Sequence, residues 1–390
     1  MRMILNSVVA IGLLGFAGIA PIAAQSSSDA VHSTVQGGAV TVVANSTAGG
    51  ATIDYIHAKP MKLPTAPGRS EAAATEDLIN ALRSTQPSGR PGFSAGSYGD
   101  GALDPTFLGA PARQDTSDEV TPEEFGTNNH AFSTARGDLN VATNTRFPYR
   151  VSGRLFFNIG GDTFVCSASL IKKGVVVTAA HCVANFGTGQ LYSNWHFIPG
   201  YRNGAAPFGD WTVKNAFVLT SYLNGSDPCA VAGVVCRDDV AVLLLNAKAG
   251  KYPGTSTGWY GFGWNGLGFT SAGLTHITQV GYPVCLDNGE LMERNDSQGF
   301  KSAANSNNTV IGSLMCGGSS GGPWLINFGV RPSLTGTTAG TAPDANVVVG
   351  VTSWGFVSNA PKEQGASPFL SGNIVPLVNS ACSAVPAACT

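Results

Sequence analysis

The chain has 390 residues, enough for two or three domains with a sizeable core. Glycine accounts for 50 of them, charged residues for only 12% against a usual ~25%, and the net charge is −2. That balance excludes coiled coils, helical solenoids and highly charged disordered chains, and it leaves no basic field for a nucleic-acid backbone. High glycine with low charge suits an all-β fold with many tight turns.

Residues 1–24 read as a secretory signal peptide. Arg2 supplies the positive start, 8–20 are apolar, and Ala23-Ala24-Gln25 offers small residues for cleavage. Gly12, Gly15 and Gly18 interrupt the apolar run, which argues against a retained membrane anchor. No later stretch is long and apolar enough to span a bilayer, so a secreted or periplasmic protein is expected, working as a monomer.

Residues 25–146 form a second compositional block, with 13 acidic and 8 basic residues and no cysteine. The run 71–83 has the best helical periodicity, with Leu78, Ile79 and Leu82 on one face. The stretch 86–109 is rich in Pro, Gly and Ser and reads as loop. An acidic, weakly patterned block between signal and core is expected to be a removable pro-segment or an N-terminal extension that stays attached. Arg136-Gly137 and Arg146-Phe147 are candidate processing sites.

Residues 147–390 differ in character. Short β-branched and aromatic runs recur at 155–159, 164–171, 175–178, 195–198, 211–219, 240–245, 277–281, 310–314, 323–327 and 347–352, with turn residues between them. Many short strands without alternating helices indicate a barrel or sandwich. The aromatic, glycine-rich stretch 259–269 reads as a link between two halves, 295–308 as a solvated loop, and 371–380 as a short closing helix. Regular carboxylate spacing for Ca²⁺ is missing from 295–308. His196 and His276 lie in strand-like runs and read as packing or surface groups.

All eight cysteines follow position 165: Cys166, Cys182, Cys229, Cys236, Cys285, Cys316, Cys382 and Cys389. An even count in an exported chain implies disulfides, although eight cysteines allow on the order of a hundred connectivities. Sequence order suggests pairing of neighbours. Zinc binding would favour Cys-x-x-Cys spacing, which is absent.

Three segments carry chemistry. In Thr178-Ala179-Ala180-His181-Cys182 a strand ends and turns at small residues, which would leave His181 on a rim beside an anchoring cysteine. In Asp238-Asp239-Val240-Ala241 an acid stands directly before a buried-looking strand, placed to accept the Nδ1 proton of His181. In Cys316-Gly317-Gly318-Ser319-Ser320-Gly321-Gly322-Pro323 a serine sits among glycines, and the N–H groups of Gly318 and Ser320 can converge on an oxyanion. Losing one such donor typically costs about 10²–10³ in rate. The literal Gly-x-Ser-x-Gly string also fits an α/β-hydrolase elbow, but His precedes Ser here and that fold runs Ser, acid, His.

The segments TAAHC, DVAVL and GSSGGP resemble the chymotrypsin/trypsin-like serine proteases. FPYRVSGRLFF, FIPGYRNG at 197–204, VGYP at 280–283 and SWG at 353–355 look like the secreted bacterial branch that includes the glutamyl endopeptidases. The resemblance covers about 147–380. It implies two packed six-stranded antiparallel barrels, at about 147–250 and 256–380, with the active site between them. His181 becomes the base, Asp239 the orienting acid and Ser320 the nucleophile, with Gly318 and Ser320 as the oxyanion hole. Ser353, Trp354 and Gly355 become the strand that pairs with substrate backbone. The implied activity is a serine endopeptidase acting on proteins or peptides through an acyl-enzyme, with no metal or cofactor. An imidazole is a base only when neutral, so activity is expected to fall in acid.

Some positions depart from the family pattern. Ser319 stands where animal digestive members carry the Asp that pairs with a new N-terminus, so that activation switch cannot operate. Asp238 competes with Asp239, but adjacent residues point to opposite faces and the family pattern selects Asp239. Leu314, six residues before the nucleophile, gives an uncharged pocket base. Thr352 replaces the His usual in glutamyl endopeptidases. An apolar or small side chain before the scissile bond is therefore expected. The rivals are a catalytically silent binding protein on this scaffold and an esterase using the same three residues.

Overall fold

Strands form where the β-branched and aromatic runs lie, and they close into two rings. The computed structural model describes residues 32–35, 40–45, 52–66, 90–109, 131–137, 143–229, 231–269, 274–301, 309–331, 344–356 and 362–390. The expected signal peptide and the expected helix over 71–83 lie outside the described residues.

The first ring comprises β1 (Ser152–Ile159), β2 (Asp162–Lys172), β3 (Val175–Thr178), β4 (Ser193–Pro199), β5 (Trp211–Leu219) and β6 (Ala241–Leu245). Antiparallel pairing runs β5-β4-β1-β2-β3-β6 and returns to β5, closing the barrel. Gly160-Gly161 makes the β1–β2 hairpin, with Gly160 at φ +60° as a tight two-residue turn demands. Leu155, Phe157, Leu170, Val176 and Leu243 are fully buried in this half.

The second half contains β7 (Gly261–Trp264), β8 (Leu274–Gly281), β9 (Glu293–Lys301), β10 (Thr309–Gly312), β11 (Pro323–Ile326), β12 (Val347–Phe356) and β13 (Glu363–Pro368). Its ring is β11-β8-β9-β10-β13-β12, closed by β11 on β12, again antiparallel throughout. The structure is thus the all-β, two-barrel architecture that the sequence suggested. The stretch 259–269 is more than a link: β7 lies parallel to β12, while Tyr260 bridges back through its N–H to Leu170 on β2. Helix α1 (Ile374–Ala384) then returns to the first barrel. Ile374, Leu377, Val378 and Ala381 form its buried stripe, and the Asn373 side chain caps it through the Ile374 N–H.

Two loop expectations are corrected. Residues 293–301 form a central strand of the second barrel, although they read as polar (ERNDSQGFK). Asn295 and Ser297 are buried there because they have partners: Asn295 bonds Thr134 and the Gly312 carbonyl, and Ser297 bonds the Ala131 carbonyl. The stretch 86–109 contains two short strands, Gly92–Ser94 on β7 and Thr106–Phe107 on Ala205–Ala206. Strand β13, which no β-branched or aromatic run marks, is wholly buried.

Described parts of the 25–146 block dock on both barrels. Val40–Ala44 extends the sheet beside the second half of β5, where β4 no longer reaches. Phe132–Arg136 does the same beside the first half of β9. Lys59–Pro60 runs parallel to β2, and Thr65–Ala66 runs parallel to the end of β12. Each strand supplies backbone partners to an edge that would otherwise be open.

Candidate active site

β3 ends at Thr178, and the chain turns through Ala180–Cys182 as one 3₁₀ turn. Cys182 is disulfide-bonded to Cys166 on β2, which fixes that turn to the barrel wall. Thr178 pairs with Ala241 at the start of β6. Just beyond that pair, His181 and Asp239 extend from neighbouring strands and meet. The Asp239 carboxylate accepts from His181 Nδ1 at 2.8 Å and from the His181 backbone N–H at 2.8 Å. Ser353 on β12 donates to the same carboxylate at 2.5 Å, so both barrels hold it. Burial and the nearby Asp239 charge push the Tyr192 hydroxyl up to about 12.

Asp238 points elsewhere. It accepts from Ser221 at 2.7 Å, and its backbone N–H donates to Asp227 at 2.8 Å. Burial, reinforced by the Asp238 charge, raises Asp227 to about 7. Asp238 itself is raised, mainly by burial.

The serine loop is held from three sides. Cys316 is disulfide-bonded to Cys285, and Ser319 Oγ donates to the Cys316 carbonyl at 2.6 Å. Ser167 on β2 donates its N–H to the Ser320 carbonyl at 2.8 Å and its hydroxyl to the Gly318 carbonyl at 2.9 Å. The Gly321 N–H donates to the Thr352 carbonyl on β12. Gly321 has φ +76°, and a Cβ there would lie 2.0 Å from Thr178 Oγ1, so the loop needs glycine at that point. Gly318 has φ +92°, and a Cβ there would meet the Tyr282 carbonyl at 2.6 Å.

This loop sets Ser320 against the end of β3. Ser320 is fully buried and His181 is 4% exposed. Ser320 Oγ and His181 Nε2 are both buried without a hydrogen-bond partner. The Gly318 N–H points into the cleft, where it donates to the Met61 carbonyl at 3.1 Å. The Gly355 N–H donates to the Pro64 carbonyl at 3.2 Å. Trp354 is buried, with its ring against Gly365.

Leu314 is buried where the pocket base was expected, its N–H reaching Thr134 at 3.5 Å. Beneath the serine loop lies a buried polar network absent from the sequence reading. Gln279 bonds Ser313, Thr352 and Gln364, and Gln364 Nε2 donates to the Met315 carbonyl at 2.6 Å. Thr352 also accepts from Trp324 at 2.8 Å, so its hydroxyl is committed to this network. No local spacing marks these residues, because four separate strands and the serine loop bring them together. His196 is paired with Asp210 at 2.8 Å and bonded to Tyr55, away from the cleft residues above.

The remaining disulfides join Cys229 to Cys236 and Cys382 to Cys389, which pairs all eight cysteines. Among the described residues, the groupings with metal-ligand proximity are Cys166-His181-Cys182 and Asp227-Cys229-Cys236. Their cysteines are consumed as disulfides, which removes the thiolates a metal would need.

A family model for trypsin matches residues 139–369. An extracellular metalloprotease of Bacillus subtilis (strain 168) is 26% identical over 124 residues, 31% of this chain and 36% of that protein. The chain thus spans about a third of that relative's length. Among solved structures, the protease Anisep from Arthrobacter nicotinovorans is similar at 26% identity, covering 60% of this chain and 96% of that one, with a TM-score of 0.47. A thermostable serine protease, AL20, from an extremophilic microorganism shows 23% identity over 60% of this chain and 97% of that one, with a TM-score of 0.46. A Glu endopeptidase shows 18% identity over 64% of this chain and 96% of that one, with a TM-score of 0.45. With the trypsin model spanning more than half of its residues, and with the barrels and cleft arranged as described, the chain belongs to the trypsin family of chymotrypsin-like serine proteases.

Proposed function

We propose that this protein is an exported serine endopeptidase in which His181, Asp239 and Ser320 form the catalytic triad. The observation that carries this reading is the His181–Asp239 pair. With Nδ1 committed to the carboxylate, Nε2 is the nitrogen left buried without a hydrogen-bond partner, as Ser320 Oγ is. A carboxylate in that place fixes the tautomer and stabilises the imidazolium that forms during reaction.

In the proposed reaction Ser320 Oγ attacks the peptide carbonyl carbon as His181 Nε2 takes the hydroxyl proton. The Gly318 and Ser320 N–H groups receive the oxyanion. His181 returns the proton to the leaving amine as the C–N bond breaks, leaving an acyl-serine. Water, deprotonated by the same imidazole, attacks the ester and releases the acid. The nucleophile–base hydrogen bond of such sites tightens when substrate binds.

The substrates are proteins or peptides. The uncharged Leu314 at the pocket base and the committed Thr352 hydroxyl support a preference for apolar or small residues before the scissile bond. Export is supported by the signal-like residues 1–24 and by the disulfide-bonded state of every cysteine. Among the described residues no helix is long and apolar enough to cross a membrane.

The test compares the parent with Ser320→Ala on an unstructured protein, mapping the cut bonds by mass spectrometry. Cleavage by the parent should fall on the order of a millionfold in the variant. Cleavage after Lys or Arg would overturn the apolar preference. A folded, fully processed parent that cuts no peptide bond and fails to react with a serine-directed phosphonate would be a binding protein on this scaffold. One that cuts only esters would be an esterase.

A further inference from the structure

One segment in the cleft takes no part in the proposed reaction. Residues 59–66 cross the cleft from end to end. Lys59 and Pro60 pair in parallel with Phe164 and Val165 on β2, and the Met61 N–H donates to the Val165 carbonyl at 2.9 Å. The Met61 carbonyl then takes the Gly318 N–H, the donor assigned to the oxyanion hole. The Pro64 carbonyl takes the Gly355 N–H, and Thr65 and Ala66 pair in parallel with Gly355 and Phe356. Leu63 Cδ1 lies 3.3 Å from where a Gly355 Cβ would be, so this apolar side chain covers the edge of β12 beside the pocket. Under this segment Ser320 is 0% and His181 4% exposed.

The direction of the segment decides what it can do. In the proposed reaction the acyl half of a substrate lies antiparallel along 353–355, and the leaving amine departs on the His181 side towards β2. Here the polarity is opposite. The residues before Met61 lie on β2, and the residues after it lie on β12. If Ser320 attacked the Met61 carbonyl, the nitrogen to be expelled would be that of Lys62, on the β12 side. The proton held at His181 Nε2 could not reach it, so the C–N bond would survive and the adduct would revert.

We infer that residues 59–66 are an inhibitory strap, and that the cleft is a receptor for a peptide bound backwards. The inference rests on the endopeptidase reading. The recognised ligand class is an extended, uncharged-faced peptide with a carbonyl seated in the oxyanion hole and an apolar residue at the pocket edge. Lys59, paired with Asp162 at 2.7 Å, and the Asp54 N–H, donated to the Thr163 hydroxyl at 3.0 Å, fix the upstream end of the strap to the first barrel. Activation then requires the strap to leave, and its departure frees both the Gly318 and the Gly355 donors.

The experiment uses the full chain and follows labelling of Ser320 by a fluorophosphonate. Met61→Pro removes the N–H bonded to Val165, and Leu63→Asp puts a charge against the edge of β12. Neither residue belongs to the proposed catalytic machinery. Labelling speed scales with the open fraction of the cleft, so each variant should react about tenfold faster than the parent or more. A synthetic peptide of residues 57–68, added to Leu63→Asp, should slow labelling competitively and be recovered uncut. Equal, measurable labelling of parent and both variants would overturn the strap while leaving the endopeptidase intact. Cleavage of the peptide between Met61 and Lys62 would overturn the reversed direction. No labelling of any form, including chain nicked within the strap by an added protease, would remove the endopeptidase reading and the strap with it.

Discussion

At the scale of single residues, Asp239 shows how one carboxylate is made to serve one purpose. It accepts from His181 twice and from Ser353 once, and it is 1% exposed. Those donors leave it no freedom to turn, so the imidazole is locked in one tautomer. Asp239→Asn keeps the shape but can present an N–H to Nδ1, which selects the wrong tautomer. We expect kcat on peptide substrate to fall about 10⁴-fold with KM little changed. A fall of less than tenfold, measured at saturating substrate, would deny Asp239 its orienting role. Alternation allowed only one of the two acids to serve and the family resemblance pointed to Asp239; Asp238 is bonded to Ser221 and Asp227 instead. The strand-end histidine and the glycine-flanked serine were equally legible, because their chemistry depends on neighbours in the chain. Gln279 and Gln364 were not legible. Their roles come from meeting each other under the serine loop.

At the scale of elements, the segment preceding β6 carries its own pH dependence. Asp227 and Asp238 approach across the loop closed by Cys229–Cys236. Asp227 titrates at about 7 in the fold against 3.8 for the free side chain, chiefly through burial. Between those values the folded state holds a proton that the unfolded chain has lost. Stability from this group is therefore complete below about 4, declines as pH rises, and is fully lost above about 7. We expect the urea midpoint of the parent to be lower at about pH 8 than at about pH 5, and Asp227→Asn to reduce that difference. An unchanged difference in the variant would place the pH dependence elsewhere. Legibility also divided by element. In the first barrel Val175–Thr178 and Ala241–Leu245 stood out because both their faces are buried and almost wholly apolar. β9 did not, because its inward residues are polar and satisfied by Thr134, Gly312 and Ala131 across space. Gly92–Ser94 was hidden for a related reason: it is a strand only because β7 offers an edge.

At the scale of the whole molecule, the two barrels are tied by a buried ion pair. Arg154 on β1 lies over the Phe156 and Tyr201 rings and bonds Glu290, which precedes β9 and also accepts from Tyr201. Removing one member leaves the other charge buried without its partner, which typically costs about 3–5 kcal/mol. Glu290→Gln should therefore lower the unfolding free energy by about that amount. The double replacement Arg154→Met with Glu290→Leu should cost less than the single change, since both charges then leave the interior. Urea unfolding of the three variants checks this, and a single variant as stable as the parent would show that the pair contributes nothing to docking. What the sequence by itself determined is the all-β class, through strand-length runs and turn residues, and the family, through short motifs whose resemblance implied two barrels and pointed to the three residues proposed as catalytic. What only the tertiary structure decided is how the 25–146 block is used. Its weak periodicity left open a removable pro-segment or an extension that stays attached, and gave no sign that its described strands pair with both barrels and lay 59–66 across the cleft. Those strands are held by backbone hydrogen bonds to distant edges. Backbone groups are common to every residue, so such pairing leaves almost no mark in the side-chain sequence.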